Sequence, residues 1–503
     1  MFIIRTGSYV CENFNSMILK TKRRALKAGL TFFSFIFLGT VSAQTGAVDA
    51  FLKRQMKELR IPGMQVTIVQ HGKIALNKSY GMANVQDLIP VNNKSIFAIN
   101  SCTKVFTGVA IMQLVEEGKI ELSAPVSRYL DGLPSDWQPV TIKQLLTHIS
   151  GLPDILRLFN PTTHGIGEFA NEAAVWEKVK AMPMDFPTGE QFRYNQTNYV
   201  LLGKIIDKLS GKPFARVFKE RQFDISGMTN TVFGDSRDVI PHFAPTYSYK
   251  TSIDGQKLNE EKLTNNYAEF PFFQRTGSGL NSTGEDMAKW IIALQQGKLL
   301  KTKKALDTLW TAGTYNNGSP TLWALGWGLT KFRSKHKAVG MSGGGRSAFL
   351  VYPDDDLAVI VLTNLGGSSP ENFIEEIAGY YNPDIAASDP LTVLRIQLKK
   401  RGFDKAMEVV NEEKKKDIHF QPAESDLNDW GYRMMRSEQN KEALEIFKLN
   451  VLLYPESWNV YDSYGEALLK NGQTEEAIKM YKKSIELNPK NENGKKVLEK
   501  IVK

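Results

Sequence analysis

Residues 97–118 read FAINSCTKVFTGVAIMQLVEEG, and the spacing inside that stretch decides the fold. Val105, Val109, Met112 and Val115 recur at three- and four-residue steps, which predicts a helix stopped at Gly118. Ser101 and Lys104, three apart, fall on one face at its start. A serine hydroxyl is a poor nucleophile until a neighbouring base takes its proton, and an amine one turn away is such a base. A helix start also offers free N–H groups and the positive end of the dipole to developing negative charge. Cys102 sits next to the serine, but at i+1 it points about 100° away around the helix, toward the core.

Two further stretches carry polar groups suited to the same chemistry. FRYNQTNYVLLG (192–203) presents Tyr194 and Gln196, and a phenol near an ammonium can shuttle a proton between nucleophile and leaving group. Gly340-Met341-Ser342-Gly343-Gly344 lies in AVGMSGGGRSAFLVYP (338–353), where glycines let a substrate approach the strand backbone. That segment and LAVIVLTNL (357–365) read as two consecutive strands joined at Pro353-Asp354-Asp355-Asp356. GMQVTIVQ (63–70) and residues 73–80 flank His71-Gly72 as a tight hairpin. Ser282 and Glu285 have the spacing of a capping box before an amphipathic helix.

Ser101-x-x-Lys104, the tyrosine stretch, the glycine-rich strand and TIKQLLTHISGLP (141–153) together resemble the serine β-lactamase and penicillin-binding-protein superfamily. The nearer likeness is to class C β-lactamases and their esterase, D-aminopeptidase and D,D-peptidase relatives. The resemblance implies an α+β fold: an antiparallel sheet flanked by helices, plus an all-helical lobe. It implies Ser101 as the acylated nucleophile and Lys104 and Tyr194 as acid and base, with either one as the immediate base. It places the N–H groups of Ser101 and Gly344 in the oxyanion hole, and Gln196, Met341, Ser342, Gly343 and Arg346 against the substrate. It gives His148 no catalytic part; packing and hydrogen bonding are expected of it. Two positions depart from the family pattern. Gln196 stands where the family has asparagine, moving the amide outward by about one C–C bond, roughly 1.5 Å. Met341 stands where the family has a cationic or polar residue, and a thioether cannot anchor a carboxylate. Weak or absent β-lactamase activity follows. Pocket walls are expected from residues 156–184 and 235–274.

The 503 residues suffice for two or three domains, and 42% hydrophobic content excludes a disordered chain. Lys22, Arg23, Arg24 and Lys27 precede the apolar run LTFFSFIFLG (30–39) and Val41-Ser42-Ala43. This predicts a signal peptide over 1–43, cut after Ala43, and a periplasmic or secreted protein that meets the membrane only during export. The leader takes six cations and one acid with it, so the net charge of +9 falls to +4, no nucleic-acid signature. It also removes Cys11, leaving Cys102 without a disulfide partner. No Cys or His cluster has metal-ligand spacing, so neither metal nor cofactor is expected.

The hydrolase domain is expected over 44–385. After it comes a helical linker or degenerate repeat over 386–423, which includes RGFDKAMEVVNEEKKK (401–416), and then tetratricopeptide repeats over 424–503. Gly431 and Gly465, Ala443 and Ala477, Phe447 and Tyr481, and Pro455 and Pro489 are each 34 apart, which is the tetratricopeptide period. Such a tail suits a protein or peptide partner, docking on the catalytic domain, or dimerisation. The function expected is an exported serine hydrolase acting on a small-molecule or peptide ester or amide. The alternative is an inactive binding protein that recruits partners through its repeats.

Overall fold

The computed structural model describes residues 45–158, 172–253, 255–331, 333 and 335–502. The expected leader, and residues 159–171 of the expected pocket wall, lie outside these. The chain divides into two bodies, Met1–Glu58 and Leu59–Lys503. In the first, residues 45–58 form a helix.

The second body is built on a seven-stranded, wholly antiparallel sheet. Its spatial order is Ile89–Pro90, Lys73–Asn84, Gly63–Gln70, Leu357–Thr363, Ser347–Tyr352, Ala338–Gly343 and Leu329–Lys331. The hairpin at His71-Gly72 has both residues at positive φ (53° and 64°), as a tight turn between right-twisted strands requires. The first and last strands of the sheet in chain order pair at its centre, where Thr67 faces Ile360. Every residue of Leu357–Thr363 is buried, so neither face of that strand is open. Helices Gly284–Gln295 and Ile374–Tyr381 both pack on it. The first is capped one residue later than the sequence suggested: Thr283, not Ser282, accepts from Asp286 N at 3.1 Å, while the Ser282 hydroxyl bonds Thr231.

AVGMSGGGRSAFLVYP is two strands, not one. Gly344 and Gly345 (φ 59° and 61°) turn the chain, Arg346 N bonds Gly343 O at 3.1 Å, and Ala338–Gly343 pairs with Ser347–Tyr352. The helical lobe gathers Ile142–Leu146, Glu172–Lys180, Gln196–Ser210 and Phe214–Phe218 around the serine helix Thr103–Glu116. That helix is apolar on all sides and sunk in the core, which fixes its N-terminal end in space.

Beyond the sheet domain the chain is helical. Pro390–Arg401 and Ala406–Lys416 share one apolar core with Glu424–Arg436 and Asn440–Leu453; Trp458–Lys470, Thr474–Leu487 and Glu492–Val502 follow. The repeat helix Glu424–Arg436 docks on the sheet domain through Arg433 Nε, which donates to Asn372 Oδ1 at 2.7 Å.

Candidate active site

Ser101 lies in the 3-10 turn Asn100–Cys102 that runs into the helix Thr103–Glu116. The turn is entered through Asn100 at φ 46°, a left-handed conformation that asparagine tolerates better than most residues. Thr103 Oγ1 locks it by donating to Asn100 O at 2.6 Å. Cys102 points inward as expected: it is 1% exposed, its thiol lies 3.5 Å from Met341 O, and burial pushes its pKa well up. It is no rival nucleophile.

The Ser101 hydroxyl meets the Tyr194 hydroxyl at 2.6 Å. Lys104 is fully buried; its amine donates to Gly277 O at 2.6 Å and Gln196 Oε1 at 3.0 Å. It also faces the rings of Tyr194 and Tyr199, 4.6 and 4.8 Å from their centres. The phenol is therefore the serine's neighbour, and the amine stands behind it. Burial pulls Lys104 down to about 7, against a smaller opposing pull from Asp154. Burial pushes the Tyr194 phenol the other way, so it stays protonated at neutral pH. The two groups divide the chemistry between a lysine that can be neutral and a phenol that can pass a proton.

Asn195 caps the helix Gln196–Ser210 and so aims Tyr194 and Gln196 at Lys104. His148 supports that cap: Asn195 N donates to His148 Nδ1 at 3.1 Å, and the imidazole packs 4.6 Å from the Tyr194 ring. Burial, then the charge on Lys104, hold it well below the ordinary histidine range, so it is a neutral spacer.

The third wall is the end of Ala338–Gly343. A Cβ on Gly343 would stand 2.0 Å from Ile99 O and 3.0 Å from Ser101 N, so only glycine lets this strand abut the serine turn. Gly344 is exposed at the turn and Ser342 is part-exposed beside it. Met341, expected against substrate, is 3% exposed and belongs to the apolar core; its side chain faces packing partners because strand residues alternate between faces. Arg346 is 6% exposed and, through burial alone, lowered to about 10.

Three contributors escaped the sequence. The Gly277 carbonyl, the Tyr199 ring and the Asp154 carboxyl, which accepts from Gln196 N at 3.3 Å, all surround Lys104 or its partners. Of these, Tyr199 had a signal, lying on the same helix face as Gln196, three residues on.

A beta-lactamase family model matches residues 48–378, about two thirds of the chain, and a tetratricopeptide-repeat model matches 459–491. Penicillin-binding protein 4* of Bacillus subtilis (strain 168) is 31% identical over 313 residues, 59% of this chain and 67% of that protein. Protein flp of Staphylococcus aureus (strain NCTC 8325 / PS 47) is 24% identical over 335 residues, 66% of this chain and 65% of that one. The chain thus spans about two thirds of the length of these relatives. Among solved structures, the octameric penicillin-binding protein homologue from Pyrococcus abyssi aligns with a TM-score of 0.55 at 25% identity, over 67% of this chain and 77% of that one. FmtA from Staphylococcus aureus aligns with a TM-score of 0.54 at 23% identity, over 68% and 88%, a likeness of fold.

Proposed function

Because this chain belongs to the beta-lactamase family, we propose that it is a serine hydrolase cleaving ester or amide bonds through an acyl-enzyme on Ser101. One observation carries the reading: the Ser101 hydroxyl lies 2.6 Å from the Tyr194 hydroxyl, in front of a fully buried lysine whose pKa is near 7. At that value about half of the Lys104 amines are neutral at pH 7, against about one in 2,500 for an ordinary lysine. As Ser101 attacks the substrate carbonyl, its proton passes to Lys104, directly or by way of Tyr194. The N–H groups of Ser101 and Gly344 receive the oxyanion. The proton then returns by the same route to the leaving group. Water, giving its proton along that path, releases the acyl group and restores Ser101.

Gln196 holds the Lys104 amine at 3.0 Å, so its amide serves the base as well as the substrate. Met341, buried in the apolar core, leaves no cation where the family carries one, which supports weak or absent β-lactamase activity. The basic, apolar leader supports export, with removal of residues 1–43. The repeat helices support a protein or peptide partner, and their docking through Arg433 leaves the later repeats to bind it.

The test is a panel of chromogenic esters, D-amino-acid peptides and nitrocefin with the purified chain and Ser101→Ala. Hydrolysis of an ester or peptide that disappears in Ser101→Ala is expected. Nitrocefin turnover at rates typical of resistance enzymes would contradict the assignment made to Met341. Failure on every substrate would favour an inactive scaffold.

A further inference from the structure

A cleft of about 340 Å³, the size of a small-ligand site, lies between the sheet domain and the first repeat helix. One wall is aromatic, built from Phe192, Tyr315 and Trp323. It backs onto the acylation point: the Trp323 ring lies 5.6 Å from the ring of Tyr194, whose hydroxyl meets Ser101. A Cβ on Gly328 would stand 2.2 Å from the Trp323 ring, so glycine makes room for the indole there. A second wall comes from Glu424–Arg436, where Asp426, Asp429 and Arg433 follow at three- and four-residue steps along one face. The end of that helix is tied back to the turn of the catalytic strand. Ser437 Oγ donates to Gly367 O at 3.1 Å, and Gly367 N donates to Gly345 O at 3.1 Å.

The charges in the cleft do not balance. Lys331 and Glu375 neutralise each other at 2.8 Å. That leaves Glu371, Asp426 and Asp429 against Arg395 and Arg433, an excess of one negative charge. Arg433 turns its Nε to Asn372 Oδ1 at 2.7 Å. Among the described residues, Asp426 and Asp429 have neither an ion pair nor a side-chain hydrogen bond. Two further polar atoms in the lining lack a partner: Nε of Arg395, a side chain 2% exposed, and Oε2 of Glu371. Such atoms are costly unless a ligand pairs with them, and one donor with one acceptor is what a backbone amide satisfies. Aromatic rings beside carboxylates suit an alkyl stem that ends in an ammonium group. We propose that this cleft is a substrate subsite walled by the first repeat helix, and that it takes a peptide segment carrying a free primary amine, held by Asp426 and Asp429. The proposal rests on the hydrolase reading for its place in turnover, but not for binding. It gives the tail a part in choosing the substrate as well as in meeting a partner.

The probes are alanine tetrapeptides, in L and D series, with lysine or its neutral isostere norleucine at the second or third position. Binding is read as the Tm of the non-acylating Ser101→Ala chain. A lysine peptide is expected to raise Tm where its norleucine twin does not, and adding Asp426→Asn and Asp429→Asn should abolish the difference. Turnover is read as the ratio of kcat/KM for the lysine peptide to that for the norleucine peptide. In the otherwise native chain it should exceed ten at one of the two positions. It should fall to near one in the double variant, whose norleucine rate stays within about twofold. Asp429→Asn alone should lie in between, which keeps the test open if the double variant folds poorly. No lysine effect on Tm, or one that the double variant retains, overturns the subsite. Hydrolysis of both peptides at equal rates upholds the hydrolase reading and overturns the subsite. A lysine effect on Tm without hydrolysis of any peptide or ester upholds the subsite and overturns the hydrolase reading instead.

Discussion

Burial pulls the Lys104 amine down to about 7, and two slopes with pH follow. Only the neutral amine accepts the serine proton, so kcat/KM for an ester should rise about tenfold per pH unit below 7 and level off above it. Stability moves as well. The unfolded amine keeps its ordinary value near 10.5, so between about pH 7 and 10.5 the unfolded chain binds the extra proton. Stability should therefore increase with pH through that window, and the increment should be missing in Lys104→Met, read from urea midpoints at pH 7 and 9.5. A flat rate profile around pH 7, or equal slopes in the two proteins, would count against a depressed lysine. At this scale the sequence was legible wherever chemistry sits in side chains at fixed local spacing: Ser101, Lys104, Tyr194 and Gln196. It was silent on Gly277, because a carbonyl 173 positions from the lysine it holds carries no residue signature. For Met341, the residue type was visible but not the face of the strand it occupies.

Elements were legible where a period or a turn residue marks them. The 34-residue offsets become helix pairs in which Gly431 faces Phe447 and Gly465 faces Tyr481, a small residue against a ring in each unit. A Cβ at Gly431 would come within 2.6 Å of the Phe447 ring, against 3.0 Å for Gly465 and Tyr481. Gly431→Ala should cost about 1–2 kcal/mol, overpacking outweighing the gain of about 1 kcal/mol in helix propensity, while Gly465→Ala should be nearer neutral. Chemical denaturation of the full chain reads both. The hairpin at Gly344-Gly345 was harder to see, because three glycines beside a strand fit either a bulged strand or a turn. Two successive positive φ values decide for the turn, and that turn brings Arg346 back beside Asn100.

The whole molecule is joined where the edge of the sheet meets the first tail helix. Lys331 pairs with Asp389 at 2.7 Å and Glu375 at 2.8 Å; Arg333 adds Glu375 at 2.9 Å and Asp389 at 3.2 Å. Asp389 also caps Pro390–Arg401, accepting from Thr392 N at 2.9 Å. Burial opposes its ionisation, but Lys331 and the neighbouring hydrogen bonds outweigh it and hold the carboxyl well below the usual range. Its folded value lies below its unfolded one, so its contribution is complete above about pH 4 and drains away as pH falls further. Asp389→Ala should cost about 3 kcal/mol, since it leaves Lys331 and Arg333 short of a partner, and should open residues 390–416 to limited proteolysis at neutral pH. An unchanged Tm and digestion pattern would show the joint to be dispensable. None of this network was visible in the sequence, since its members are scattered from 331 to 389. The central claim rests on a single hydroxyl, and mass mapping of the chain after treatment with a fluorophosphonate probe tests it most directly. One adduct is expected on the peptide carrying Ser101, absent from Ser101→Ala and strongly reduced in Lys104→Met. An unlabelled native chain, or an adduct that survives Ser101→Ala, would contradict it.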